Sequence, residues 1–334
     1  MFILNSYSIA VIFCLITMIC WGSWANTQKL ATKKWPFPLY YWDYALGIVI
    51  ITFVLGVTMG SSGSQGRAFF PDLLQANWDS FKFALLGGVI FNLANILLVA
   101  AIDIAGMAVA FPVAIGLALV IGVIVNYLNR PIGDPKLLFI GVACIVIAII
   151  LDAIAYKRAA QNSKKLIAKG LIIALISGIL MSFFYLFVAK SMATNFAHPT
   201  KGYLTPYSAS FIFALGIFLS SFIINTWMMK WPLVGEKLNF KDYFSQGSVS
   251  LHSIGILGGI IWGLGSLFNF IASGVAGTAI SYGLGQGATM IAALWGVFIW
   301  KEFAKAPKGT NKLIVFMFLF YLIGLGLIIS ARSI

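Results

Sequence analysis

Ten long apolar runs, most of them separated by short polar connections, decide what this chain can fold into. They cover residues 7–28, 41–60, 81–103, 107–127 and 137–156, then 166–189, 205–228, 251–273, 278–300 and 312–330. A helix needs about 20 residues to cross the hydrocarbon core of a bilayer, and each run supplies that length. Of the 334 residues, 61% are hydrophobic and only 9% are charged, at a mean hydropathy of +0.98. A soluble domain carries roughly 25% charged residues, and helices apolar on every side have nowhere to hide in water. The sequence therefore predicts an all-α integral membrane protein of ten transmembrane helices.

A duplication organises the runs. Residues 257–287 lie over residues 86–116 at a constant offset of 171 without a gap, and ten of the 31 positions are identical. Four are glycines: Gly87/Gly258, Gly88/Gly259, Gly106/Gly277 and Gly116/Gly287. Each copy reads as two helices joined by a tight turn, at Ile104–Gly106 in the first. Fainter echoes match Leu15, Ile16 and Thr17 with Leu175, Ile176 and Ser177, and Lys136-Leu137 with Lys312-Leu313. The expected organisation is a first five-helix repeat over 1–156, a central cytoplasmic loop over 157–165 and a second five-helix repeat over 166–334.

Loop charges give an orientation, because lysine and arginine accumulate on cytoplasmic loops. With the N-terminus outside, 15 of the 22 basic residues, including Lys29, Lys33, Lys34, Lys157, Arg158, Lys164 and Lys165, fall on the cytoplasmic side and seven outside. Both termini are then outside and the repeats are inverted. Two inverted halves are what alternating access to a midplane site requires. The net charge of +13 is spent on these loops, and no basic cluster is long enough for a nucleic-acid footprint. The first apolar run has no basic segment before it, which argues for a retained helix over a cleaved signal. Cys14, Cys20 and Cys144 sit inside apolar runs without metal-ligand spacing. No metal, cofactor or enzymatic site is expected: no P-loop, HExxH or catalytic triad is present, and only two histidines, His198 and His252.

Polar residues inside apolar runs are costly and mark functional or helix-joining positions. Trp21, Trp24 and Gln28 share one helical face at i, i+3 and i+7. They serve as interfacial anchors or as an aromatic and amide lining for a flat polar solute. Asn92, Asn95 and Asp103 share a face of the third helix, with spacings that return to within about 60° and about 20° of one direction. The second copy differs: Leu98, Phe111 and Ile115 are answered by Asn269, Tyr282 and Gln286. Substrate-binding candidates are therefore Trp21, Trp24, Gln28, Asn92, Asn95, Asn269, Tyr282 and Gln286, with helix packing the competing role for the amides. The ion-coupling candidates are Asp43, otherwise a solvated acid at a helix start, and Asp103, otherwise a cap of the next helix. No acid falls at the centre of a span. The glycines at 283–287 indicate close helix packing or close approach of a ligand, and Pro112 is placed to kink the fourth helix.

Several motifs occur in order: the run at 20–30 (CWGSWANTQKL), Tyr40–Tyr44 with its Trp-Asp-Tyr core, 69–80 (FFPDLLQANWDS), Leu86-Gly87-Gly88 through Asn92 and Asn95, Asn126-Tyr127-Leu128, and 138–147 (LFIGVACIVI). In these the chain resembles the ureide permeases of the drug/metabolite transporter superfamily. It is also similar to rhamnose–proton symporter and glucose/ribose uptake relatives, whose ninth helix ends like Lys301-Glu302-Phe303. The resemblance implies proton-coupled uptake of a ureide or nucleobase-like compound, with Asp43 and Asn95 the polar positions carried over. Plant ureide permeases have a long central loop with a P-loop-like sequence; 157–165 is short and has none. A monosaccharide–proton symporter or a drug/metabolite exporter of the same fold are the alternatives. The expected setting is a bacterial cytoplasmic membrane, with a small-molecule substrate, protons and the lipid bilayer as partners, in a monomer or homodimer.

Overall fold

The computed structural model describes residues 1–31, 35–159 and 167–332. Lys33, Lys34, Lys164 and Lys165, and most of the central loop, lie outside the described residues. Among the described residues, ten helices are long and apolar enough to cross a membrane. The first span is α1 (Tyr7–Ser23) continued by α2 (Ala25–Ala31), and the second is α3 (Phe37–Val57). After the short α4 (Phe69–Gln75) come α5 (Trp78–Ala105), α6 (Met107–Asn129) and α7 (Pro135–Ala159). The second half has α8 (Ile167–Ser191), α9 (Pro206–Lys230), the short α10 (Phe240–Gln246) and α11 (Val249–Ala276). Its ninth span is α12 (Thr278–Gly285), α13 (Ala288–Leu294) and a π-helical turn (Trp295–Ile299), and the tenth is α14 (Thr310–Ser330). Large apolar side chains such as Ile12, Ile172, Ile223 and Leu322 stay exposed on the outer faces, where lipid replaces water as solvent.

The two matched stretches share local geometry. Asn77 caps α5 by accepting from the Ser80 N–H, and Ser248 caps α11 by accepting from the Leu251 N–H. Both helices run 28 residues and end on a glycine that L-residues cannot easily replace: Gly106 at φ 83°, ψ 156° and Gly277 at φ 89°, ψ 151°. Helix α5 crosses α9 where a side chain on Gly88 would meet the Phe213 carbonyl and, at 2.9 Å, the Gly216 Cα. Helix α11 crosses α3 where one on Gly259 would meet the Tyr44 carbonyl and, at 2.9 Å, the Gly47 Cα. The faint echo of the first and sixth runs is also functional in packing. Thr17 Oγ1 donates to the Gly265 carbonyl at 2.8 Å, and Ser177 Oγ donates to the Ala94 carbonyl at 2.8 Å. Glycine makes these crossings because only a missing Cβ lets backbones approach so closely.

Two connections that the sequence reads as loops, 61–80 and 229–250, hold the short helices α4 and α10. Each exposes large apolar residues, Phe70 and Leu74 on α4 and Phe240 and Phe244 on α10, the pattern of a helix lying in the membrane interface. Their length and mixed polarity hide them from a search for 20-residue runs. The helix α6 runs continuously through Pro112. The interruptions fall elsewhere, at Trp24 between α1 and α2 and at Gln286–Gly287 between α12 and α13.

Candidate functional site

Both interruptions border a cavity of about 450 Å³ that opens at one face of the bundle. The walls come from both halves: Trp21, Trp24 and Gln28 from the first span, Asn95 and Asp103 from α5, Phe111 and Ile115 from α6, Phe184 from α8, Trp262 from α11, and Gln286 and Thr289 from the ninth span. The interior is aromatic. The Trp21 and Trp262 rings are stacked 5.9 Å apart at 11°, and Phe91 stacks on Trp262 at 4.3 Å. Trp21 is held in place by donating its indole N–H to Ser266 Oγ at 2.9 Å, and Trp295 by donating to Ser23 Oγ at 2.9 Å.

Polar groups interrupt this lining. Asn95 lines the cavity from α5, with its buried amide beside the Tyr41 hydroxyl. At the mouth, Lys29 pairs with Glu302, Tyr156 donates to Glu302 Oε2 at 2.7 Å, and the Lys29 ammonium sits 4.3 Å from the centre of the Trp300 ring. Lys29 and Glu302 are both substantially exposed, so the pair is worth about 1 kcal/mol at most. Its effect is positional: it ties the end of the first span to the end of the ninth.

Of the residues expected to bind solute, Trp21, Trp24, Gln28, Asn95 and Gln286 line this cavity, and Asp103 stands in its wall toward the mouth. Asn92, Asn269 and Tyr282 lie outside it, in helix contacts. Asn92 donates to Ser220 Oγ at 2.7 Å and to Ser221 Oγ and the Ile217 carbonyl at 3.2 Å, joining α5 to α9. Asn269 donates to the Ser281 carbonyl at 2.9 Å. The Tyr282 hydroxyl donates to the Ala118 carbonyl at 3.0 Å. Spacing alone puts Asn92 and Asn95 on one face; only the neighbours of each tell glue from lining.

Asp43 is also outside the cavity, and it is not a solvated acid. It is 1% exposed and accepts from the Tyr243 hydroxyl at 2.5 Å and the Trp35 indole at 3.3 Å. His252 Nδ1 lies 3.0 Å from both carboxylate oxygens. Burial, and then the hydrogen bond to Asp43 and its charge, hold the Tyr243 phenol above its ordinary range, so it stays a donor. Tyr243 and His252 are about 200 residues away in sequence; the rarity of histidine was the signal available, and it did not single out His252. The sequence reading also passed over Trp262, Phe91, Phe184 and the Lys29–Glu302 pair, because single aromatics and loop charges are commonplace in such a chain.

Beyond the cavity the path is plugged. Tyr282, Tyr185 and Asn269 are fully buried, the two tyrosine rings lie 5.2 Å apart, and Tyr185 donates to the Asn269 carbonyl at 3.3 Å. Ten spanning helices around a polar and aromatic cavity, open to one face and plugged toward the other, define a membrane carrier for small solutes. Residues 40–169 and 154–331 match the family model described as ureide permease. The chain belongs to the ureide permease family. It is 25% identical over 392 aligned positions to Ureide permease 1 of Arabidopsis thaliana, covering 100% of this chain and 99% of that protein. The alignment is longer than the 334 residues here, so that relative has segments with no counterpart in this chain. The chain is also 22% identical over 307 positions to the putative sugar uptake protein YxfA of Lactococcus lactis subsp. lactis (strain IL1403), covering 87% of this chain and 92% of that one. A solved crystal structure superposes with a TM-score of 0.58 over 98% of this chain and 100% of the other at 16% identity, a likeness of fold.

Proposed function

We propose that this protein is a secondary permease that carries a ureide or nucleobase-like solute across a cell membrane by proton-coupled alternating access. The observation that carries the reading is the convergence of three side-chain amides, Asn95, Gln28 and Gln286, on a cavity walled by Trp21, Trp24 and Trp262. Ureides and oxo-heterocycles are flat and edged with N–H and C=O groups. Aromatic faces suit such plates, and side-chain amides offer both a donor and an acceptor to their edges. The volume falls within the range of about 300–1,000 Å³ usual for small-molecule sites. Family membership supports the same solute class.

The two halves, 1–156 and 166–334, act as inverted repeats that rock about the Gly88–Gly216 and Gly47–Gly259 crossings. The repeated caps, glycine turns and hydroxyl–carbonyl bonds support their equivalence. The loop charges support an orientation with both termini outside, so that the open cavity faces the cytoplasm and the plug faces out. Asp43 is the first coupling group, since a carboxylate held by His252 and Tyr243 joins α3 to α10 and α11. Asp103 is the second.

A monosaccharide reading has its own support in the likeness to the Lactococcus sugar uptake protein. The two separate in a thermal-shift screen of purified protein against ureides, nucleobases and monosaccharides, because a ligand that binds the native state raises its stability. Hydantoin or uracil should stabilise the protein and be accumulated by proteoliposomes under an inward proton gradient. Stabilisation by sugars alone sinks the ureide assignment, and accumulation indifferent to the gradient sinks proton coupling.

A further inference from the structure

Asp152 is a buried acid that belongs neither to the cavity wall nor to the Asp43 cluster. It stands on α7, 7% exposed, and its Oδ1 has no hydrogen-bond partner among the described residues. The lysine, arginine and histidine side chains that pair with acids there meet Glu302, Asp72, Asp79 and Asp43, not Asp152. A carboxyl group out of water with no counter-ion is costly as the anion, and a proton relieves that cost.

Its neighbours connect it to the open cavity. Tyr156 lies one turn further along the same face of α7, and its hydroxyl donates to Glu302 Oε2 at 2.7 Å. Gly296, in the π-helical turn, makes room for that contact: a Cβ there would lie 2.7 Å from the Tyr156 hydroxyl and 2.9 Å from Glu302 Oε2. Tyr156, Gly296 and Glu302 are all in the cavity wall, and Asp152 stands within reach of the Glu302 charge. Helix α14 packs on α7 and brings Tyr321, which is fully buried, close to Asp152 and to Thr289 of the same wall. Helix α6, also packed on α7, has Tyr127 as its titratable residue, at the far end beside Phe139. Lys157 and Arg158 on α7 and Lys312 on α14 are exposed, and Lys29 is engaged by Glu302. The junction therefore sets two carboxylates, Asp152 and Glu302, against the single ammonium of Lys29, and one proton balances it.

We propose that Asp152 is a proton-binding site of the carrier, loaded and emptied through the open cavity by way of Tyr156 and Glu302. The proton leaving the Asp152 carboxyl goes to water at the mouth and leaves the carboxylate; a proton from the same water restores the acid. As the anion, Asp152 repels Glu302, whose bonds to Lys29 and Tyr156 tie the first span, α7 and the end of the ninth span together. Proton occupancy thus acts on the contact that spans the mouth. The proposal rests on the proton-coupled permease reading and adds a third acid to Asp43 and Asp103.

N,N′-dicyclohexylcarbodiimide tests the site without any solute. This apolar reagent reaches carboxyl groups from the lipid phase. A protonated carboxyl adds across its C=N bond, oxygen to carbon and proton to nitrogen, and the O-acylisourea rearranges to a stable N-acylurea. Peptide mass spectrometry of the full-length protein should find the label on Asp152, forming about threefold faster or more at pH 6 than at pH 8.5. In Glu302→Gln the fall in labelling should move to lower pH, because the neighbouring negative charge is gone; the reagent's own pH response cannot produce that shift. In proteoliposomes holding a trapped pH dye, the ratio of protons to hydantoin entering should fall in Asp152→Asn and recover in Asp152→Glu. Absence of label on Asp152, or a pH profile unmoved by Glu302→Gln, overturns the site. An unchanged ratio in Asp152→Asn overturns its part in coupling. If hydantoin is not carried yet the label follows pH and Glu302 as expected, the permease reading fails and the proton site stands.

Discussion

Tyr282→Phe isolates the plug with the smallest change the structure allows. The ring stays: it fills the space over Gly122, where any Cβ would strike it, and it packs on Tyr185 at 5.2 Å. Only the hydroxyl is lost, with its bond to the Ala118 carbonyl at 3.0 Å and its longer approach to the Met181 carbonyl at 3.4 Å. Both acceptors are backbone groups inside helices α6 and α8, where carbonyls already serve helical N–H groups. The penalty of about 1–3 kcal/mol for stranding a buried polar atom therefore does not apply. The net loss is that of one bond, about 0.6 kcal/mol by membrane-protein cycles and about 1 kcal/mol by soluble ones. If that bond exists only in the plugged state, its loss shifts the balance toward the unplugged state about three- to fivefold. Ala292→Cys, in the cavity wall, reports the shift through its rate of modification by a membrane-impermeant maleimide added from the plugged face. Native Cys14 and Cys20 are buried, and protein without the added cysteine gives the background. Tyr282→Phe should raise the rate about three- to fivefold with the melting temperature nearly unchanged. A rate within a factor of about 1.5 of the parent would refute the assignment of Tyr282 as the barrier.

Equivalence of the two halves can be weighed directly: Gly88→Ala and Gly259→Ala each drive a Cβ into a facing backbone, so each should cost about 1–3 kcal/mol, and markedly unequal losses in thermal stability would deny that the crossings correspond. Asn92→Leu removes the two N–H donors that Asn92 shares among Ser220, Ser221 and the Ile217 carbonyl of α9 and should lower stability by about 1–2 kcal/mol with little effect on solute affinity. Asn95→Leu should do the reverse, keeping the melting temperature and weakening solute binding at least tenfold; the opposite pattern in a binding titration would exchange their roles. Asp43→Asn keeps an acceptor for Tyr243 but removes the charge beside His252. Solute counterflow should survive while accumulation driven by a proton gradient disappears, and gradient-driven accumulation at the parent level would move coupling to another acid.

The family and the class of fold were legible before any coordinates, for a physical reason. A bilayer forces every span to about 20 apolar residues, so ten spans announce themselves, and close helix crossings force glycine, so Gly88 and Gly259 mark a duplicated joint. Even the weak match of Thr17 with Ser177 had structural content, because each hydroxyl bonds the same carbonyl position in the opposite half. The interfacial helices α4 and α10 were illegible, being short and of mixed polarity. The site was legible only in part. Trp21, Trp24, Gln28, Asn95 and Gln286 converge on one cavity, while Asn92, Asn269 and Tyr282, equally polar and equally deep, are turned to neighbouring helices. Periodicity places a residue on a face of its own helix, but which partner covers that face is settled only when the helices pack. The pairing of Asp43 with His252 and Tyr243, and the meeting of Tyr282, Tyr185 and Asn269 behind the cavity, join residues far apart in the chain, and tertiary structure alone decided them.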